Sequence, residues 1–102
     1  MKIMISQPMN GKTTEQILKE RKDIVLRLEA EGHTVVNTVF PDEAPADCDT
    51  ALFYLAKSID AMSKVDAVLF MRGWKEARGC GIEHLIADAY GKRRLYEADT
   101  WD

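Results

Sequence analysis

Short apolar runs alternate with segments of helical period along almost the whole chain, and this alternation restricts the possible folds more than any other feature. Ile3-Met4-Ile5, Thr34-Val35-Val36, Ala67-Val68-Leu69-Phe70 and Arg94-Leu95-Tyr96 read as strands, with Val39-Phe40 extending the second before Pro41. Thr13 opens the first helix with Gln16 as its capping-box partner, and Ile17, Leu18, Ile24, Val25 and Leu28 follow at helical spacing up to Gly32. Asp49 or Thr50 caps a second helix, whose stripe of Leu52, Leu55, Ile59 and Met62 is widened by Phe53 and Ala56. A third helix starts near Gly79 or Gly81, carries Ile82, Leu85, Ile86 and Ala89 as its core stripe, and stops at Gly91.

Strand–helix alternation of this kind gives a parallel sheet with right-handed crossovers. For 102 residues the expectation is one α/β domain over residues 1–102. It is a three-layer, flavodoxin-like (Rossmann-like) fold with four strands in the order 2-1-3-4. Ligands of such sheets bind beyond the carboxyl ends of strands 1 and 3, where the winding direction reverses. The unusual residues fall in those two loops, at 6–13 and 71–83.

Composition narrows the ligand. A net charge of −3 argues against a sequence-independent grip on a nucleic-acid polymer, which needs a basic face. Two cysteines, Cys48 and Cys80, are too few for a disulfide framework, and no paired CxxC spacing suggests a metal. No apolar run approaches membrane-spanning length. The opening Met1–Ile5 is too short for a signal peptide, so the reducing cytoplasm is the expected compartment. Neither a metal nor a redox cofactor is expected.

The first loop, Ser6-Gln7-Pro8-Met9-Asn10-Gly11-Lys12-Thr13, approximates a phosphate-cradling P-loop. It lacks the first glycine, and Pro8 removes a backbone N–H. With no carboxylate at the end of the third strand to manage Mg²⁺, a nucleotide-triphosphate engine is excluded. What survives is a polar loop at a helix start offering Ser6, Gln7, Gly11, Lys12 and Thr13 to an anion. An equally weighted reading makes Gly11 a turn and Thr13 a cap.

The second loop runs Arg72-Gly73-Trp74-Lys75-Glu76-Ala77-Arg78-Gly79-Cys80-Gly81-Ile82-Glu83-His84. Gly79 and Gly81 would let backbone approach a ligand closely. Glu83, placed in the first helical turn, would be held ionised by the helix dipole. A fixed carboxylate can attack an anomeric carbon or steady the charge as a glycosidic bond breaks. The plainer alternative is a first-turn glutamate serving the dipole alone. Trp74 either stacks a base or covers the sheet edge. Cys80 reads as a small buried thiol, His84 as a partly packed histidine, and Asp66 as a structural turn residue.

Three segments carry a resemblance: Ile5-Ser6-Gln7-Pro8-Met9-Asn10-Gly11-Lys12-Thr13, Ser63-Lys64-Val65-Asp66-Ala67-Val68, and Gly73-Trp74 followed by Gly79-Cys80-x-x-Glu83-His84. Together they resemble a small phage and bacterial domain family of uncharacterised function. That family is similar to the nucleoside 2-deoxyribosyltransferases and deoxynucleoside-monophosphate N-glycosidases, and the likeness covers nearly the whole chain. It implies a flavodoxin-like fold, a homo-oligomer whose subunits complete one another's sites, and Glu83 as nucleophile at the sugar C1′ within Gly79-Cys80-Gly81-Ile82-Glu83. The enzymes carry an aspartate in the second helix where this chain has Ser58, with Asp60 the nearest acid, and a tyrosine where it has Ile3. Cys80-x-x-Glu83 is also similar to the catalytic segment of domains that cleave NAD at its nicotinamide bond.

The expected function is therefore an N-glycosyl hydrolase or transferase acting on a nucleoside or (deoxy)nucleotide. The alternative is a catalytically silent nucleotide-binding module of the same fold. In either case the ligand contacts are Ser6, Gln7, Gly11, Lys12, Gly73, Trp74, Gly79 and Gly81, with Ser58 and Asp60 as candidate supporting residues.

Overall fold

A computed structural model of the chain describes residues 1–101. The elements run β1 (Lys2–Ser6), α1 (Thr14–Ala30), β2 (Thr34–Val36), α2 (Thr50–Met62), β3 (Ala67–Phe70), α3 (Arg78–Ala89), β4 (Arg93–Tyr96) and α4 (Glu97–Trp101). All strand pairs are parallel, and the sheet order is β2-β1-β3-β4. This is the flavodoxin-like order that the alternation predicts. Val39 and Phe40 lie outside β2, and α4 is an element the sequence pattern did not signal.

Because strand side chains alternate between faces, each central strand feeds two cores. Ile3, Ile5, Ala67, Leu69 and Met71 pack with Ile24 and Leu28 of α1 on one face. Met4, Val68 and Phe70 pack with Ala61 and Met62 of α2 and Ala87 of α3 on the other. The result is three layers, with α1 on one side of the sheet and α2 and α3 on the other.

Local chemistry sets the helix ends. Thr13 and Gln16 form the reciprocal capping box of α1, and the Asp49 side chain accepts from the Leu52 N–H at the start of α2. Asp66 is structural, as its position suggests: its carboxylate accepts from the Lys2 N–H at 2.8 Å, tying the start of β3 to β1.

The helix phases differ from those read off the sequence. On α1 Leu18 is exposed, and Arg21 takes a place on the buried face. On α2 the buried residues are Ala61 and Met62, while Leu52 is 61% exposed and Ile59 lies at the surface. On α3 the sheet-facing residues are Cys80, Glu83 and Ala87, and Leu85 is 68% exposed. Of the aliphatic stripe of α3, Ile86 packs against the core while Leu85 turns outward, because the sheet edge takes in the carboxylate and the small side chains.

Truncating Leu28, which is fully buried between α1 and β1, should cost about 3 kcal/mol. Thr13→Ala should cost about 1 kcal/mol through loss of the capping box. Urea denaturation of both variants beside the wild type checks the two values.

Candidate functional site

The alternation of β1 decides what its carboxyl end offers. Ser6 shares the parity of Met4 and faces the α2–α3 side, whereas Gln7, the next residue, turns to the α1 side. Ser6 is 1% exposed, and its Oγ donates to Oε1 of Glu83 at 3.1 Å. Glu83 is 7% exposed. The helix begins at Arg78, so Glu83 is its sixth residue and no acid stands in the first turn.

The expected dipole-stabilised, ionised first-turn glutamate is thereby corrected. Burial pushes the Glu83 carboxyl up from an ordinary 4.5 to about 7, against the smaller opposing effect of the Ser6 hydrogen bond. A carboxyl held near neutrality in a buried pair has the tuning of a group that exchanges protons or attacks at physiological pH. Cys80 lies one helical turn earlier, in reach of both Ser6 and Glu83. Burial raises its thiol to about 11, so it behaves as a packed thiol rather than a nucleophile.

The loops after β1 and β3 touch. Gly73 has φ +88°, and a Cβ there would lie 3.6 Å from Cγ of Pro8. Gly11 (φ +78°) turns the first loop into α1. Gly79 and Gly81 have no positive φ and no neighbour within 4 Å of a Cβ position. Nothing within the fold itself demands glycine at either, and the pair leaves Arg78 and Cys80 as the side chains of the first turn of α3. Ala77 caps that turn without a side-chain hydrogen bond.

At the carboxyl ends of β3 and β4 opens a cleft of about 550 Å³ lined by Phe70, Arg72, Gly73, Trp74, His84 and Tyr96 among others. Ser6 and Glu83 are not in its lining; they adjoin it through Phe70, the register neighbour of Ser6, and His84, the residue after Glu83. Trp74 stacks on His84 with centroids 4.2 Å apart and planes inclined by 18°. The Nε2 of His84 and the hydroxyl of Tyr96 lie 2.6 Å apart. Phe70 sits edge-on to His84 and stacked with Tyr96. Burial first, then the charge of Arg94, lowers the His84 pKa below that of a free imidazole.

Residues 1–96 match the family described as a domain of unknown function, DUF4406. The chain belongs to the DUF4406 family. No curated protein and no solved structure gives a match.

Within this DUF4406 domain the structure brings Ser6, Glu83, Gly73 and Trp74 to one end of the sheet, and it engages other sequence candidates elsewhere. The Gln7 amide donates to Ile17 O and Glu20 Oε1 and accepts from Nε of Arg21. Lys12 is paired with Glu20 at 2.9 Å. Asp60 is exposed, paired with Lys64 one turn along α2 at 3.1 Å, and lines a separate cleft with Phe40, Phe53 and Lys57. Ser58 is half-buried on the same helix. Among the described residues no three His, Cys, Asp or Glu side chains are grouped to hold a metal ion.

Sequence reasoning passed over His84 and Tyr96. The available signal was the register of the strand ends: Ser6, Phe70 and Tyr96 stand opposite one another across β1, β3 and β4 and share one face.

Glu83 should make stability fall as pH rises. Its folded pKa of about 7 exceeds the ordinary 4.5, so the folded state holds the extra proton between those values. The neutral-carboxyl contribution is complete below pH 4.5 and is lost as pH rises through 7. Glu83→Gln should therefore gain up to about 3 kcal/mol over wild type between pH 4.5 and pH 8. Parallel urea titrations at the two pH values measure that difference.

Proposed function

We propose that this DUF4406 domain is an N-glycosyl hydrolase or transferase acting on a nucleoside or (deoxy)nucleotide, with Glu83 as nucleophile at the sugar C1′. The observation that carries the reading is the buried Ser6–Glu83 pair at the carboxyl ends of β1 and β3, behind Phe70 and His84 of an aromatic cleft. Parallel α/β sheets bind their ligands at that position. The motif kinship with nucleoside 2-deoxyribosyltransferases and N-glycosidases points the same way.

The reaction follows from the carboxylate. An oxygen of ionised Glu83 bonds to C1′ while the C1′–N bond breaks and its electron pair leaves with the base. Water, or a second base, then displaces the resulting ester and frees the carboxylate. Ser6 donates to Oε1 and so orients the group. The cleft is of a size that encloses a small ligand, and its aromatic walls suit a planar ring. The first turn of α3, thinned by Gly79 and Gly81, offers backbone N–H groups to an anionic substituent such as a phosphate.

Incubating the purified chain with nucleosides, deoxynucleoside monophosphates and NAD, and following free base by chromatography, tests this reading. Base release by wild type and none by Glu83→Ala is the expected result. The rate should climb as pH rises through about 7, where Glu83 ionises. Binding without release, seen as a raised melting temperature for one compound, would instead make the domain a silent nucleotide-binding module.

The same reading includes a homo-oligomer. The helices α2 and α3 pack against each other on one face of the sheet. They leave Leu52, Ile59 and Leu85 outward, a face suited to a second copy. Light scattering should give a mass above that of one chain, and Leu52→Lys with Leu85→Lys should return it to the monomer. A strictly monomeric wild type would remove the oligomer from the proposal.

A further inference from the structure

A nucleoside's C1′–N bond breaks far more readily when the departing base is protonated on a ring nitrogen, and Glu83 as nucleophile cannot supply that proton. Asp60, the nearest acid on α2, faces a different cleft and is paired with Lys64. The Cys80 thiol is buried and does not line the cleft. Glu76 and Asp99 also line the aromatic cleft, but both are exposed to solvent. Tyr96 and His84, 2.6 Å apart, form a half-buried polar pair within it that has no part in the mechanism so far.

Their placement suits the task. Ser6, Phe70 and Tyr96 stand in register across three strands on the same face. Tyr96 is therefore two strand spacings, about 10 Å, from the serine that holds Glu83. That is the scale of a nucleoside lying with its sugar at Glu83 and its base in the cleft. The His84 ring is stacked against Trp74, so its Nε2 is directed to Tyr96 by packing rather than left to rotate.

Resting on the N-glycosidic reading above, we infer that Tyr96 is the acid that protonates the departing base, with His84 as its positioning residue. As the Glu83 oxygen bonds to C1′, the C1′–N bond breaks and the ring nitrogen takes the proton of the Tyr96 hydroxyl. With its hydrogen on Nε2, His84 donates to the phenolate that forms. In the second half, the oxygen of a water bonds to C1′, Glu83 leaves as carboxylate, and the water's proton restores Tyr96. Over the cycle one water is consumed, and both side chains return to their starting states.

A substrate whose base departs without protonation separates this role from a structural one. The probes are 2′-deoxyguanosine, its 5′-monophosphate, and the 7-methyl form of each, whose base is already cationic and leaves neutral. Tyr96→Phe should slow kcat on the unmethylated probes about 100-fold or more, with KM little changed, and affect the 7-methyl probes less than about 10-fold. His84→Gln should show the same selectivity with a smaller loss. Equal losses on both probe types, from variants that melt with the wild type, or no loss at all, would overturn the role of Tyr96 while leaving the glycosidase reading intact. Failure of the wild type to cleave any of the four, with base released from another compound of the wider panel, would overturn Tyr96 as the acid for a purine base, and no release from any compound would overturn both.

Discussion

The alternation of β1 between two faces is the constraint on which the remaining structure depends. The strand is buried on both sides, so Ile3 and Ile5 anchor α1 while Met4 meets the layer of α2 and α3. The same alternation continues past the strand end. Ser6 is delivered to Glu83, and Gln7, one residue later, is delivered to the opposite face. A shift of one residue in register would exchange them and separate the carboxylate from its hydrogen-bond donor.

Both faces bear a buried polar group, and the two serve different ends. On the α1 side, Arg21 is 5% exposed and donates from Nε to Gln7 and from Nη1 to Thr38, whose hydroxyl donates to the Ile5 carbonyl. Burial lowers its pKa to about 10, and its Nη2 has no hydrogen-bond partner among the described residues. That network fastens the loops after β1 and β2 to α1, at the cost of desolvating a cation. On the other side Glu83 is destabilised in its charged form by the same physics, beside a cleft rather than inside a strut. Carboxyl burial there opposes stability and gives a group that titrates near neutral pH.

The phase of α3 links this chemistry to the surface. Turning Cys80, Glu83 and Ala87 to the sheet leaves Leu85 pointing outward, and α2 likewise leaves Leu52 outside. The positions that look most like core on these helices are the ones that the fold presents to its surroundings. The aromatic cluster of Phe70, Trp74, His84 and Tyr96 fills the space between α3 and the end of β4, giving the cleft a stiff wall of interlocked rings.

Sequence alone determined β1 to β4, α1 to α3 and their order, though not α4, because period-2 and period-3.6 hydrophobicity, the Thr13–Gln16 cap and the turn glycines are local properties. Strand–helix alternation then leaves few topologies, and 2-1-3-4 is the one adopted. Loop chemistry likewise pointed to Ser6 and Glu83 as candidates. Only the tertiary structure decided that they meet, that burial raises the Glu83 pKa, and that Lys12 and Gln7 are engaged toward α1. It also decided that His84 and Tyr96, on different elements, form a pair. Local pattern gives the faces of a helix without saying which face the sheet will cover, since that depends on volumes and partners brought together from distant parts of the chain.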